Sequence, residues 1–339
     1  MTDGPADETA PAAQREDESF DAFYARAIEP ALRELEAVRR RAVRRCALAV
    51  GGGVVAAGTL LVAAVIGGWL EGPVAIVPVA LVFLGLVLGF AAIAEASGKV
   101  KAALMPQIAD FLGVRYWRVG GDVSAIERFR AHKLVPSYQK SSFEDFLAGE
   151  HAGCSFVLFE AHLLQRSSDS KGRRRHTTCF RGQLLRLTAP MTFLGVTVIL
   201  RDAGIFNAFL KPAKDLKRVG LVDRRFEKTF EVFSSDQVEA RYLLSPVFME
   251  RLLHLEELLR GKKARAAFAA GEILIAVEGG NLFEAGSMFK PLADPARARR
   301  VHDEIASVHG VIDALIATRE QGGSPVGADV SPTRPPESP

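Results

Sequence analysis

Two apolar runs decide how this chain is built: ALAVGGGVVAAGTLLVAAVIGGWL, Ala47 to Leu70, and VAIVPVALVFLGLVLGFAAIA, Val74 to Ala94. Only Glu71-Gly72-Pro73 separates them, and neither run holds a charged residue. A helix of about 20 apolar residues crosses the ~30 Å hydrocarbon core of a bilayer. A helix that is apolar all round for so long is rarely a soluble core helix. The expectation is a transmembrane helical hairpin over 47–94.

Its flanks set the orientation. Arg39, Arg40, Arg41, Arg44 and Arg45 precede the first run, and Lys99 and Lys101 follow the second. The break carries no Lys or Arg, and positive residues stay cytoplasmic. Both termini are therefore expected in the cytoplasm and the chain in the cell inner (plasma) membrane, as a multi-pass protein. Trp69 stands where an interfacial aromatic belongs. Pro73 opens the second helix, and Pro78, about one turn inside, predicts a mild kink. Gly85 and Gly89 form a G-x-x-x-G step, and Ala49, Gly53 and Ala57 a matching row. Small residues at this spacing let helices approach closely, either within the hairpin or in a homodimer. Thr59 is the polar residue inside the spans and can bond its own backbone. Without ionisable groups, the spans read as an anchor rather than a pore or pump.

The remaining residues, roughly 220 without hairpin and tails, suffice for one sizeable domain or two small ones. A formal net charge of +3 argues against nucleic acid as a partner. Cys46, Cys154 and Cys179 have no metal spacing and would stay reduced in the cytoplasm.

Residues 1–19 are acidic and aperiodic, a disordered tail, and 321–339 form a Pro/Gly/Ser tail of the same kind. Residues 20–46 read as an amphipathic juxtamembrane helix, with a kink or restart at Pro30. A cytoplasmic α+β domain is expected over 96–320, beginning with a helix from Ala96 to Leu112 that Gly113 ends. Strands are expected at Val114–Val119, Cys154–Leu164, Thr177–Leu187, Val196–Arg201, Lys228–Phe233, Arg265–Ala270 and Ile273–Val277. Gln165 to His176 reads as a polar loop, and Gly271-Glu272 as a tight hairpin. Asp236-Gln237-Val238-Glu239 has the form of a capping box, and Ser245-Pro246 starts the next helix. A last helix runs from Asp294 to Thr318. Helices and antiparallel strands mix without a βαβ rhythm, which argues α+β.

An ordered set of motifs carries a resemblance. Phe20-x-x-Phe23-Tyr24 continues to Ile28, Pro30, Leu32 and Leu35-Glu36, and two membrane helices follow. Gly149-Glu150, Phe156 to Glu160 and Phe180-x-Gly182 come next. The most specific stretch is Phe233-Ser234-Ser235-Asp236-Gln237-Val238-Glu239-Ala240-Arg241-Tyr242-Leu243-Leu244-Ser245-Pro246, leading into Phe248-Met249-Glu250-Arg251, with Leu282-Phe283-Glu284 after it. From Phe20 to about Leu292 the chain resembles the uncharacterised bacterial membrane proteins that share domain of unknown function 3137. The resemblance implies membrane anchoring and a cytoplasmic α+β domain, and no activity. His151 stands where that family tends to carry an acidic residue, which weakens any role for a carboxylate pair there.

Asp236, Glu239 and Arg241 are the leading candidate cluster, either for a polar ligand or partner or as helix caps with an ion pair. Glu150, Glu160 and His162 are weaker polar candidates. They lack a third ligand at a zinc spacing, so no metal and no cofactor is assigned. His302 and His309 share a helix face. Arg39, Arg40, Arg41, Arg44 and Arg45, with Lys171, Arg173, Arg174 and Arg175 at a hairpin tip, are candidates for lipid headgroups. No P-loop, dinucleotide fingerprint or nucleophile elbow occurs. The first functional reading is a membrane-anchored binding or scaffold module with a protein partner at the cytoplasmic face. The alternatives are an enzyme acting on a small molecule or lipid at the membrane surface, and an anionic-lipid sensor.

Overall fold

The structure, a computed structural model, describes residues 19–68, 76–168, 174–201, 215–221, 223–259, 262–279 and 286–322. The helix break with Trp69, Glu71 and Pro73, the tails except Ser19 and residues 321–322, Gly261, and Leu282-Phe283-Glu284 lie outside these residues. The chain divides into two compact units, Met1–Tyr116 with Phe283–Asp303, and Trp117–Leu282 with Glu304–Pro339.

The first unit is dominated by two long helices. α1 (Phe20–Phe23), a π turn (Tyr24–Ile28) and α2 (Glu29–Ile66) run on as one helix of 47 residues. The Ser19 hydroxyl caps it by accepting the Ala22 N–H at 3.3 Å. Pro30 does not break this helix. It stands in the first turn of α2, and the widened π turn just before it accommodates a residue that has no N–H to donate. α3 (Ile76–Phe111) is likewise continuous, and the helix expected from Ala96 to Leu112 is the far half of this second long helix. Pro78 falls in its first described turn, and the proline in its interior is Pro106.

Glycines set how closely α2 and α3 approach. A Cβ on Gly85 would lie 2.5 Å from the Ala49 carbonyl oxygen, and one on Gly53 2.8 Å from that of Leu81. Gly89 sits against the Cys46 sulfur. The outward surface stays apolar and open: Ile66 is 81% exposed and Phe83 67%. In the most apolar window of each long helix only 11% of the residues are buried, which a soluble core helix would not tolerate. Both helices are long and apolar enough to cross a membrane.

Beyond the apolar stretch the same unit closes on itself. Phe23 stacks on Phe111 at 4.5 Å between centroids, and Phe20 lies 4.4 Å from the His302 ring. Arg39 donates to the Met288 carbonyl at 2.9 Å, and Glu36 accepts the Leu292 N–H at 3.1 Å.

The second unit is built on an antiparallel sheet. The strands of the sheet are β1 (Arg115–Trp117), of which only Trp117 falls in this unit, β2 (Lys140–His151), β3 (Cys154–Ser168), β4 (Arg174–Thr188), β5 (Thr197–Arg201), β6 (Lys217–Val219), β7 (Phe230–Ser234), β8 (Lys262–Ala269) and β9 (Glu272–Glu278). They lie side by side in the order β1-β2-β3-β4-β9-β8-β5-β7-β6. Helices α4 (Ile126–Ala131), α5 (Arg224–Glu227), α6 (Gln237–Leu243) and α7 (Pro246–Leu258) accompany it, and α8 (Pro295–Gly322) contributes to both units. The α+β class with a two-helix hairpin therefore holds. Phe129, Phe146, Phe159, Phe180 and Leu184 form the centre of the sheet core. The α7 stripe of Phe248, Leu252, Leu255 and Leu259 is buried, with Phe248 edge-on to Phe268.

Two strand pairs close through Ala-Gly turns. Ala152 and Gly153 have φ of 49° and 75° between β2 and β3, and Ala270 and Gly271 have 51° and 72° between β8 and β9. Positive φ at both central positions is the hairpin turn whose twist matches its strands. The turn thus centres one residue earlier than the Gly271-Glu272 reading. The stretch Gln165–His176 is not a simple loop either. β3 and β4 extend into it, with Gln165 opposite Thr177 and Ser168 opposite Arg174. Both faces of that ribbon are polar, so no alternation betrays it.

Candidate functional site

The best-marked motif lies where β7 turns into α6. The Asp236 carboxylate accepts from the N–H groups of Val238 and Glu239 at 2.9 and 3.0 Å, the geometry of an N-cap. The expected return bond from Glu239 is not made. The Asp236 N–H goes instead to the Ser234 hydroxyl at 3.0 Å. Glu239 turns outward and accepts from Leu194 at 2.6 Å and Gly195 at 2.9 Å. Ser235 adds a third stitch by accepting the Val196 N–H at 2.9 Å. The chain runs close here, because a Cβ on Gly195 would sit 2.4 Å from the Ser235 hydroxyl. Arg241 joins neither carboxylate. It donates to the carbonyls of Gly220 at 3.3 Å and Gln237 at 3.5 Å. Each polar group of the motif is thus engaged with backbone.

The strand residues separate. Glu160 is buried on β3 and stands opposite Glu144 and Gln183. His162 shares a hydrogen bond of 2.9 Å with the Thr178 hydroxyl. Both line a depression of about 10 Å³ with Ser142, Glu144 and Arg181, room for one water at most. Neither Asp236 nor Glu150, which stands opposite Ser155, belongs to it. His151 turns to α8, where it bonds Asp313 at 2.6 Å and stacks on His309 at 4.3 Å and 3°. His302 and His309 therefore have separate neighbours. No group of three His, Cys, Asp or Glu residues fit to hold a metal occurs among the described residues. None of the three cysteines is in a disulfide, and burial pushes the Cys179 thiol up.

The basic residues sort themselves. Arg39 and Arg40 pair with Glu36, at 2.6 and 3.2 Å. Arg41 and Arg45 reach a groove between α2 and α3, and Arg44 is exposed. Arg174 and Arg175 are exposed at the start of β4, and Lys171 and Arg173 lie outside the described residues.

Sequence reading missed a cleft of about 580 Å³ beside α5 and α7. Asp223, Arg225, Glu250, Arg251, His254 and Glu257 give it mixed charge. Glu250, His254 and Glu257 recur at helical spacing on α7, which was the available signal. The Asp223 carboxylate also caps α5, accepting from Arg225 and Phe226 at 2.7 and 3.0 Å. The cleft offers charge of both signs, with Pro246 and Leu253 as its apolar members, which suits a polar partner better than a wholly apolar ligand.

Residues 178–316 match the model of a family described as protein of unknown function (DUF3137). This segment of the chain is similar to that family. It covers most of β4, β5 through β9 and most of α8, including the Asp236 motif and the α7 cleft. The matched description of DUF3137 names no activity. No curated protein matches the chain. Among solved structures, the mycobacterial trehalose monomycolate transport factor A is similar over 61% of this chain and 95% of its own, with 12% identity and a TM-score of 0.32. A likeness that slight carries no argument about function.

Proposed function

We propose that this chain is a membrane-anchored binding module. The observation that carries the reading is the apolar, outward-facing surface of the α2–α3 hairpin, with exposed Leu48, Val55, Ile66, Val79 and Phe83. Such a surface is stable in hydrocarbon and a liability in water. In this reading 47–94 is the anchor, 20–46 works with it, and the fold over 96–320 presents its binding surface on the cytoplasmic side of the plasma membrane. The one-sided placement of Arg39 to Arg45, Lys99 and Lys101 supports that orientation. Binding is favoured over catalysis because Asp236, Glu239 and Arg241 are engaged with backbone groups, and because the mixed-charge α7 cleft suits a polar protein segment. A homodimer through Gly85 and Gly89 gains no support, since both glycines are occupied by α2 of the same chain.

Membrane extraction tests the anchor. The chain should stay with the pellet through an alkaline carbonate wash and leave it only with detergent. A reporter active only outside the cytoplasm, fused at Pro339, should stay silent. Release by carbonate would overturn the anchor, and reporter activity would overturn the orientation.

A further inference from the structure

The α2–α3 interface does not end with its apolar part. Where it continues past Cys46 and Gly89, the helices open a groove of about 170 Å³. Its floor includes Ala42 and Ala96, both buried, and its rim carries Arg41, Arg45, Glu95 and Lys99. The first apolar run begins at Ala47 and the second ends at Ala94, so the groove lies at the polar end of the hairpin. Three cations and one carboxylate face one small concavity. Lys99 bonds Glu95 at 2.7 Å. That bond, and then the Lys99 charge, hold the Glu95 carboxyl below its usual range, and Arg45 adds to the effect. Arg41 keeps one N–H on the Ala37 carbonyl at 3.2 Å, which fixes the stem of its side chain. The small floor residues leave room for a tetrahedral group between the helices.

We infer that this groove binds the phosphate of an anionic phospholipid, held by Arg41, Arg45 and Lys99. The inference rests on the anchoring reading, because only an inserted hairpin brings the groove to the headgroup layer. Basic pockets between membrane helices are suited to phosphate headgroups, which guanidinium and ammonium groups bind through charge-assisted hydrogen bonds. Glu95 works against binding: it occupies Lys99 and subtracts one charge. The site thus differs from a diffuse basic surface, in which Arg44 would count as much as Arg45.

The test uses the full chain in nanodiscs of phosphatidylcholine and phosphatidylglycerol in equal parts, with retained lipid read by native mass spectrometry. The wild type should keep phosphatidylglycerol in preference to phosphatidylcholine. Arg45→Gln and Lys99→Gln should each lower that retention by about fivefold, Lys99→Arg should restore it, and Glu95→Gln should raise it. Arg44→Gln should leave it unchanged, with equal melting temperatures for all variants. Retention lowered equally by Arg44→Gln, or no preference between the lipids, would overturn the site. Displacement by soluble glycerol phosphate as effective as lipid itself would overturn the lipid as the source of the phosphate. Failure of the chain to enter the nanodisc would overturn the anchoring reading and this site with it, whereas insertion without lipid preference overturns the site alone.

Discussion

The carboxylate of Glu239 accepts the backbone N–H of Gly195 at 2.9 Å, across 44 positions of sequence. With Leu194 it closes a two-donor clasp that fixes the approach to β5 against the start of α6. Glu239→Ala should leave two backbone donors without a partner and lower stability by about 1–3 kcal/mol. Glu239→Gln should recover only part, because its amide offers one acceptor oxygen and places N–H groups where the second is needed. Asp236→Asn keeps the cap and should melt nearly like wild type, while Asp236→Ala should cost about 0.5–2 kcal/mol. Thermal melting of the full chain in detergent measures all four. A wild-type melting curve for both alanine variants, together with lost binding of a partner, would move the motif from structure to site.

Glu36 gives a pH dependence. The hydrogen bond from Arg39 is the main cause that lowers its carboxyl from an ordinary 4.5 to about 2, burial opposes this, and the Leu292 N–H and Arg40 assist. A depressed carboxyl adds stability that is complete above the unfolded value and disappears as the pH falls through the folded one. The loss should therefore occupy the window from about pH 4.5 down to about 2. Glu36→Gln should lower stability at neutral pH by roughly 1–3 kcal/mol and flatten the curve across that window. Parallel acid curves for variant and wild type would refute this.

The hairpin glycines differ in their surroundings. A Cβ on Gly85 would meet the Ala49 carbonyl oxygen, whereas one on Gly52 has nothing within 4 Å. Gly85→Ala should push the helices apart and lower the unfolding temperature of the hairpin. Gly52→Ala should be neutral, or stabilising by up to about 1 kcal/mol through helix propensity. Equal effects from the two would contradict the packing described.

The two Ala-Gly turns carry a local strain. Ala152 and Ala270 hold φ near +50°, a region that costs an L-residue with a Cβ roughly 1–2 kcal/mol. Asn tolerates it and favours this turn type. Ala270→Asn should raise stability by up to about 1 kcal/mol, and Ala152→Asn by a similar amount, as read by chemical denaturation. A drop in stability at both would show that the turns are held for another reason.

Several parts of this architecture were legible in the sequence for definite physical reasons. The apolar runs speak for themselves, because no soluble environment rewards that many consecutive apolar residues. Asp236 and Ser245 were readable as caps because a cap bonds to residues two or three places away. The partner of Glu239 was not readable, since a clasp across β5 depends on the order in which strands assemble. β2 went unseen for a local reason. Asp145 takes a positive φ of 56° and the register shifts between Glu144 and Leu147, so the bulge breaks the alternation that announces a strand. The α7 cleft stayed hidden because charged helix residues look alike whether they face open water or a concavity.

The unbroken helix from Phe20 to Ile66 has a mechanical consequence. At 1.5 Å per residue it is a rod about 70 Å long. With its apolar half held in a bilayer, as proposed, the half that carries Glu36 and Arg39 projects about 40 Å and acts as a lever. A tilt of about 10° at the anchor would displace its far end by ~7 Å, more than one helical turn. The grips of Glu36 on Leu292 and of Arg39 on Met288 lie along that arm, so in the anchored reading a change of tilt would fall first on two hydrogen bonds.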